Sequence, residues 1–291
     1  MIDSDGIPRV TAIEKWRHRR FVGQQHRRDV QNQRKLGLDT FSQDWPRLLS
    51  RPPTDWLPRR IWILWLQGED QAPPLVSRCI SSWRTLNPDW QVEVLNEQSL
   101  SQWIDLPKFP PGTSLNHKAN IVRLRLLVRY GGVWTDATTL CLRPLDDWIG
   151  HAHASGMFAF ARPQPERSLA NWFIASTPEA PLTEAWRRWS ECYLLSGKRP
   201  QSYFWSHHTF DWLLKRSPHL HDLWSQTPQV SARGPHVFQR LLDGHLDSVD
   251  VPTNEALANV PLAKLNHKKG YTVEAVDRLL EDKGLMTSGH K

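Results

Sequence analysis

The stretch Val122–Thr138 reads VRLRLLVRYGGVWTDAT and is the most informative segment of the chain. A helical pattern of apolar residues runs into a Gly-Gly break, and a short β-prone run then ends on the isolated acid Asp136. In an α/β sheet, ligands bind at the carboxyl ends of the strands. The stretch therefore predicts a helix, a turn and a strand that carries a carboxylate to a ligand-binding edge.

The helix before the glycines has polar residues on a face that should be apolar. At 100° per residue, Asn120 and Arg123 lie between two apolar flanks, whereas Arg125 and Arg129 lie on the solvent stripe. A buried arginine needs partners. Arg123 either forms an internal salt bridge or capping contact, or faces a ligand together with Asn120. We favour the ligand because Asp136 follows the same helix after one short turn.

The segment resembles family 32 glycosyltransferases and, more closely, the bacterial capsular polysaccharide synthesis glycosyltransferases. Ala119–Arg123 corresponds to their Ser-Asp-X-X-Arg helix, Tyr130–Gly132 to their Tyr-Gly-Gly break, and Asp136–Thr138 to their Asp-X-Asp or Asp-Ala-Thr motif. Similar blocks flank this segment at Arg60–Gly68, Cys79–Trp83, Asn87–Asp89, Asn171–Ser176 and Pro261–Leu265. The resemblance spans roughly residues 58 to 268 and rests on the order and spacing of the blocks.

The resemblance implies a GT-A fold and a transferase that moves a sugar from a nucleotide-diphosphate sugar to a saccharide or lipid-linked acceptor in polysaccharide biosynthesis. It implies that Asp136 holds a divalent cation, Mn²⁺ or Mg²⁺, and that Arg123 and Asn120 hydrogen-bond the donor. The nucleotide cleft would include Trp65, Leu66 and Gln67.

Two residues depart from the family pattern. The helix aspartate, which contacts the donor sugar in relatives, is Asn120 here, so donor choice or catalysis is expected to differ. The second acid of the Asp-X-Asp motif is Thr138, which leaves Asp136 as the only carboxylate of the donor-binding motif. These departures motivate an alternative function, a non-catalytic saccharide- or nucleotide-binding protein on the same fold.

Further candidate residues lie outside the central motif. Tyr203 and Trp205 could form an acceptor wall, because aromatic rings stack on sugars. Lys264 or His267 could contact phosphate, although an ordinary exposed loop also explains them. The histidines lack the His-X-X-X-His spacing of helical zinc sites, so we expect no zinc site.

The positive charge is concentrated near the start of the chain. Residues 14–36 hold eight Lys and Arg and two acids, and so six of the seven net positive charges. Such a block can be a solvated helix face, a flexible arm, or a segment that docks on an anionic membrane, with Trp16, Phe21 and Val22 available to insert. No nucleic-acid-binding motif is recognisable, so no nucleic-acid partner is expected.

Composition suggests a cytoplasmic protein, in peripheral contact with the inner face of the membrane if the basic segment docks there. Three widely separated cysteines form no disulfide framework, no apolar run approaches 18 residues, and the first residues lack a signal-peptide core. We divide the chain into a basic arm and Pro-rich linker at 1–57, a glycosyltransferase-like domain at 58–268 and a tail at 269–291.

Alternating patterns predict an α/β fold with a mostly parallel central sheet. Besides the central segment, strands are predicted at 61–66, 91–95, 139–142, 157–161 and 172–175. Helices are predicted at 73–86, 100–103, 181–195 and 203–214. The last 25 residues are polar and weakly patterned, and we expect them to fray.

Overall fold

A computed structural model describes residues 2–32, 56–150, 155–245 and 252–285. Its strands are β1 (Arg60–Leu64), β2 (Gln91–Leu95), β3 (Gly132–Thr135), β4 (Thr139–Cys141), β5 (Met157–Gln164), β6 (Arg167–Ser176) and β7 (Leu262–Lys264). Its α-helices are α1 (Ala12–Asn32), α2 (Pro74–Leu86), α3 (Leu100–Trp103), α4 (Leu115–Tyr130), α5 (Pro181–Leu194), α6 (Trp205–Arg216), α7 (Pro218–Ser225), α8 (Arg233–Leu242), α9 (Asn254–Ala258) and α10 (Val273–Asp282).

The central sheet is mixed, with the strand order β2-β1-β3-β6-β5. Strand β1 pairs in parallel with β2 and β3, whereas β6 is antiparallel to both β3 and β5. Strands β1, β2, β3 and β5 therefore run in one direction, and β6 alone of these five is reversed. The predicted α/β class with a mostly parallel sheet is confirmed in this form. A small second sheet pairs β4 with β7.

The Gly-Gly break explains how α4 leads directly into the sheet. Gly131 and Gly132 both have positive φ, 64° and 90°, which L side chains rarely adopt. A Cβ on Gly132 would also lie 2.5 Å from the carbonyl oxygen of Arg60 on β1. The indole of Trp62 then donates to the Gly131 carbonyl at 2.9 Å. Glycine at both positions lets the chain reverse beside β1 and place β3 in the sheet.

Apolar layers cover both faces of the sheet. Side chains alternate between the faces of a strand, so Ile61 and Ile63 pack with the core that contains α2, whereas Trp62 packs with the core that contains α4 and α5. Trp62, Trp83 and Trp134 are almost completely buried in these layers. Burial on both faces accounts for the continuous apolar run of β1.

Local patterns located most elements within a few residues. Strand β2 matches its prediction, and α2 ends at Leu86 as expected. Strands β5 and β6 extend beyond their predicted ends, because they form a long antiparallel pair whose register shifts after Ala159. The expected fraying after residue 266 is wrong for the described part of that segment, since Val276 and Leu280 of α10 are buried in the core.

The N-terminal basic segment packs against the rest of the fold. His18 Nε2 on α1 lies 3.0 Å from Thr209 Oγ1 on α6. Val22 is completely buried and Phe21 is half-buried, so neither is available for membrane insertion, whereas Trp16 is 60% exposed. The part of the predicted linker at 33–55 lies outside the described residues. As far as it is described, the arm is a packed helix with one solvent-facing side.

Candidate active site

A cleft of about 960 Å³ opens where β1 and β3 end. Leu64 and Trp65 line it from the end of β1, and Asp136–Thr138 line it directly after β3. One face of α4, the β5–β6 turn region, α8 and the loop after β7 complete the walls. The cleft therefore lies at the carboxyl ends of two adjacent parallel strands, the usual ligand position in α/β sheets.

Backbone hydrogen bonds hold Asp136 in a defined position. Its amide donates to the carbonyl of Trp172 at 2.8 Å, and its carbonyl accepts from the amide of Thr139 at 2.9 Å. The indole of Trp134 donates to Asp136 Oδ1 at 3.2 Å. About a third of the side chain, 32%, stays exposed. The carboxylate thus presents oxygen atoms to the cleft from a fixed backbone.

Arg123 is buried and lines the cleft, where it makes the internal contacts of the first interpretation, and its role toward a ligand stays a prediction. Its Nη2 lies 3.5 Å from Asp136 Oδ1, and its Nη1 donates to the Asn171 carbonyl. Nε donates to the Ala119 carbonyl at 3.3 Å, and the guanidinium lies 5.0 Å from the ring centre of Trp134. Burial lowers the pKa of Arg123, and Asp136 opposes that shift. Arginine remains charged in proteins, so a positive charge lies next to Asp136.

Lys264 supplies a second positive charge beside the motif. Its ammonium donates to Thr138 Oγ1 at 2.6 Å and lies 4.0 Å from Asp136 Oδ2. Strand β7 brings it there, because Lys264 pairs with Thr139 in the β4–β7 ladder. Burial lowers the pKa of Lys264, and the negative charge of Asp136 counteracts this. The Asp136 carboxylate is therefore shared by Arg123 and Lys264.

Asn120 lies on the same helix face as Arg123 and is 6% exposed. Its Oδ1 accepts a hydrogen bond from Nδ2 of Asn171 on β6 at 2.9 Å. Both asparagines line the cleft. The amide of Asn120 is thus oriented by a neighbouring strand at the edge of the site.

Two histidines in the cleft wall have lowered pKa values, mainly because they are buried and also because positive charges lie near them. Burial, with Lys264 and Arg167 nearby, lowers the pKa of His236 to about 3. Burial also lowers the pKa of His207 well below its ordinary value, and Arg167 and Arg123 add to the shift. Burial is therefore the main cause at both histidines, and Arg167 adds to the pKa shift of each.

Arg167, the first residue of β6, connects the cleft to the N-terminal helix. It lines the cleft, and its guanidinium lies 3.8 Å from the ring centre of Phe204. Nε of Arg167 lies 3.4 Å from Oδ2 of Asp29 on α1, and both side chains are buried. Burial lowers the pKa of Arg167, whereas the negative charge of Asp29 raises it.

The structure brings some of the other predicted site residues to the cleft. Trp65 lines it, whereas Leu66 and Gln67 follow in the same loop and are outside the cleft lining. Tyr203 lines it, and its hydroxyl accepts from Asn116 Nδ2 at 3.5 Å. Trp205 is completely buried outside the cleft lining.

The remaining predicted residues sit as follows. Trp205 stacks on Tyr193, with ring centres 5.1 Å apart, so it forms packing rather than an accessible wall. His267 lines the cleft and meets Trp65 edge-on at 5.4 Å. Partial burial and the nearby Lys268 and Lys264 lower the pKa of His267.

The side chains around Asp136 could hold a metal ion only together with ligand atoms from a bound substrate. Within the described ranges, no three His, Cys, Asp or Glu side chains are grouped so that they could hold a metal ion. Thr138 Oγ1 accepts from Lys264, which leaves the Asp136 carboxylate as the charged ligand of the motif. Mg²⁺ commonly uses one or two carboxylates together with substrate phosphates and waters. A divalent cation therefore fits here when a bound phosphate completes its ligands.

Sequence reasoning missed several cleft residues. Arg233, His236 and Arg240 all line the cleft from α8, a helix that was not predicted. Their spacing of three and four residues was a usable signal, because it places them on one helix face. Arg167 carried no such signal, since its partner Asp29 lies on a distant helix.

The fold and the cleft define an α/β protein with a basic ligand-binding site at the carboxyl edge of its sheet. The chain belongs to the capsular polysaccharide synthesis protein family, whose family model matches residues 19–281. That match includes most of α1 as well as the central sheet.

Relatives with assigned activities are glycosyltransferases. The chain is 30% identical to O-glycosyltransferase braB of Annulohypoxylon truncatum, over 52% of this chain and 47% of that protein. It is 31% identical to the initiation-specific alpha-1,6-mannosyltransferase of Candida albicans, over 40% of this chain and 35% of that protein. The matched regions thus span less than half of each of these curated relatives.

A solved structure, the PaToxG glycosyltransferase, aligns with a TM-score of 0.40 and 12% identity, over 85% of this chain and 94% of that one. Similarity at this level does not define a function. Within the described ranges, no helix is both long and apolar enough to cross a membrane.

Proposed function

We propose that this protein is a glycosyltransferase on a GT-A type fold, which moves a sugar from a nucleotide-diphosphate sugar to a saccharide or lipid-linked acceptor in polysaccharide biosynthesis. One observation carries the proposal. Asp136, at the carboxyl end of β3, lies between Arg123 at 3.5 Å and Lys264 at 4.0 Å in an open cleft. Family membership and the glycosyltransferase relatives support the same activity.

The chemistry explains why positive charge is needed at this position. In sugar transfer, the bond between the anomeric carbon and the diphosphate oxygen breaks, and the acceptor hydroxyl forms the new bond while losing its proton. The departing diphosphate gains negative charge, which preorganised positive groups stabilise. Arg123 and Lys264 would supply such charges, and Asp136 keeps both in place. A divalent cation shared by Asp136 and the diphosphate would act there as a Lewis acid.

Other residues would bind and orient the substrates. Asn120 and Arg123 are placed to hydrogen-bond the donor sugar or phosphate, because both line the cleft beside Asp136. Trp65 at the end of β1 offers an aromatic ring to the nucleotide base. Tyr203, 62% exposed at the cleft edge, is the better acceptor contact of the two predicted aromatics.

A donor screen followed by a turnover assay tests this function. The full chain is heated with a panel of nucleotide sugars, with and without Mn²⁺, because a ligand that binds the native state raises its melting temperature. Each stabilising donor is then assayed for slow release of nucleoside diphosphate without acceptor. We expect one donor to stabilise the protein and to be hydrolysed. Absence of stabilisation by every nucleotide sugar would contradict the proposal.

A non-catalytic binding protein is the second candidate, favoured by the two departures in the motif. The Asn120 amide is engaged by Asn171, and the Thr138 hydroxyl is engaged by Lys264. Such a protein would be stabilised by a nucleotide sugar or saccharide without releasing nucleoside diphosphate. The turnover arm of the same experiment therefore separates the two functions.

We also propose that the protein works in the cytoplasm and docks reversibly on the anionic inner face of the membrane. All three cysteines are unpaired, which suits a reducing compartment. Trp16 and the basic residues Arg20, Arg27 and Arg28 are exposed on α1. Basic residues near a membrane surface are attracted to anionic lipids, which would bring the cleft close to lipid-linked acceptors.

A further inference from the structure

The cleft holds more positive charge than a donor diphosphate requires. Asp136 is the only carboxylate in the lining contributed by the described residues. The cationic residues in the same lining are Arg123, Arg167, Arg233, Arg240, Lys264 and Lys268. Arg123 and Lys264 flank Asp136, within 4.0 Å, and would serve the diphosphate. The other four add positive charge to the cleft beyond this pair, and one of them, Arg167, also pairs with Asp29.

Helix α8 presents a basic face to this cleft. Arg233, His236 and Arg240 are separated by three and four residues, so they lie on one side of the helix, and all three line the cleft. Val237 and Phe238 of the same helix are buried in the core. The apolar side of α8 therefore fixes the helix in place, and its basic side is held toward the cleft.

The start of β6 adds hydrogen-bond donors to the same region. Arg167 is 6% exposed and lines the cleft, held by its ion pair with Asp29. Trp172 is 5% exposed, also lines the cleft, and its indole N–H has no hydrogen-bond partner among the described residues. An unsatisfied buried donor costs free energy. The N–H itself is buried, so a ligand oxygen would satisfy it only after the Trp172 side chain shifts toward the cleft.

One ring contact joins β6 to α8, because the rings of Trp172 and His236 meet edge-on with centres 5.8 Å apart. Arg167 and Lys264 line the same cleft as His236. Donors and positive charges from β6 and α8 thus converge on one region of the cleft.

We propose that the face of α8 with Arg233, His236 and Arg240, together with Arg167 and Trp172, forms a second anion subsite that binds a negatively charged group of the acceptor. The group is an oxyanion, either the carboxylate of an acidic sugar or the phosphate of a phosphorylated or lipid-phosphate-linked saccharide. This inference rests on the proposed transferase function for the identity of the ligand as acceptor. The clustering of the basic residues does not depend on that function.

Calorimetric titration of the full chain with glucose, glucuronate and glucose 6-phosphate tests the subsite. The three probes share a ring and differ in charge. We expect at least one charged probe to bind about tenfold or more tightly than glucose, a difference of ~1.4 kcal/mol. Preference for glucuronate would identify a carboxylate acceptor, and preference for glucose 6-phosphate a phosphate-bearing one. Equal binding of all three probes would overturn the proposal.

Competition separates this subsite from the donor site. The charged probe is titrated again with the chain saturated by UDP or GDP, whichever stabilises it in the donor screen. Binding of both ligands at once supports a second subsite, whereas full displacement of the probe by the nucleotide overturns it. If neither nucleotide binds while the charged probe still does, the donor proposal fails and the anion subsite stands.

Arg240→Gln provides the residue test, and Arg278→Gln is its matched control because Arg278 is exposed on α10. We expect Arg240→Gln to weaken binding of the charged probe about tenfold and to leave glucose and nucleotide binding within about twofold. Arg278→Gln should bind all of these ligands like the intact chain. Gln239→Glu, which places a carboxylate in the same cleft lining, should also weaken binding of the charged probe. If both cleft variants melt normally and bind the probe like the intact chain, the subsite is excluded.

Discussion

Asp29 Oδ2 lies 3.4 Å from Arg167 Nε, and this buried pair joins the N-terminal helix to a wall of the cleft. Removing one partner of a buried ion pair leaves an uncompensated charge, which is strongly destabilising. His208 adds to the cluster, because its Nε2 lies 3.7 Å from the same Asp29 oxygen. The basic N-terminal helix is therefore tied to the site and is expected to be needed for folding.

Asp29→Asn should lower the free energy of unfolding by about 3 kcal/mol, because Arg167 would remain buried without its counter-charge. Urea denaturation followed by circular dichroism measures the change. Asp222→Asn is the control, since the Asp222 side chain is 75% exposed and a surface acid contributes little. Unfolding of Asp29→Asn at the same urea concentration as the control would show that the pair contributes nothing to stability.

Local signals were sufficient for the central part of the site. The periodicity of α4 placed Arg123 and Asn120 on an interior face, and both are buried there. The Gly-Gly break predicted the turn into β3, and the positive φ angles of Gly131 and Gly132 explain why glycine stands there. These features depend on neighbours in the sequence, so the sequence alone could locate them.

The rest of the site depends on tertiary packing that the sequence does not display. Trp205 was expected in an acceptor wall, but it is buried because α6 packs against α1 and α5. The basic segment was interpreted as a solvated helix face, a flexible arm or a membrane-docking segment, yet its buried side carries Val22 and His18 among many exposed charges. Lys264 reaches Thr138 only through pairing of two short strands, β4 and β7.

Buried histidines should make the protein sensitive to acid. Burial, together with the charge of Arg19, lowers the pKa of His18 from 6.5 to about 3. Below pH 6.5, His18 of the unfolded chain takes up a proton that His18 of the folded chain does not. The contribution of His18 to the free energy of unfolding is therefore fully present above pH 6.5 and is lost as the pH drops toward about 3. One such group changes the free energy of unfolding by about 1.4 kcal/mol per pH unit.

His18→Gln tests this dependence, because glutamine does not titrate and can still hydrogen-bond Thr209. Between pH 6.5 and 4, its free energy of unfolding should fall less steeply than that of the intact chain. His221→Gln, at an exposed position, is the control and should keep the original slope. Identical slopes for His18→Gln and the intact chain would show that His18 takes up its proton in the folded state.

Membrane docking should depend on the exposed side of α1. Each basic residue near an anionic surface contributes about 1 kcal/mol, so replacing Arg20, Arg27 and Arg28 by Gln should weaken vesicle binding about a hundredfold. Co-sedimentation with phosphatidylserine vesicles at low salt measures this, and the melting temperature should not change. A control that replaces three exposed basic residues elsewhere uses Arg129, Lys198 and Arg278. An equal loss of vesicle binding in both triple variants would indicate general charge attraction rather than docking through α1.

Arg123→Ala should weaken donor binding by about 1.5–3 kcal/mol, the usual contribution of a hydrogen bond to a charged group. The affinity for the stabilising nucleotide sugar is measured by calorimetry. Arg129→Ala is the control, because Arg129 is exposed near the end of the same helix. A variant at position 123 that binds donor normally but unfolds early would assign Arg123 a purely structural role through Asn171 and Asp136.

Donor turnover by Asp136→Asn, with the melting temperature recorded on the same preparation, tests whether the Asp136 carboxylate supports sugar transfer. Asparagine keeps the size of the side chain and can still accept from the Trp134 indole, so the fold should be preserved. We expect release of nucleoside diphosphate to fall at least about a hundredfold, as happens when a transition-state charge loses its support. We also expect stabilisation of the donor complex by Mn²⁺ to be lost. Near-normal turnover by Asp136→Asn would show that the Asp136 carboxylate is not needed for sugar transfer.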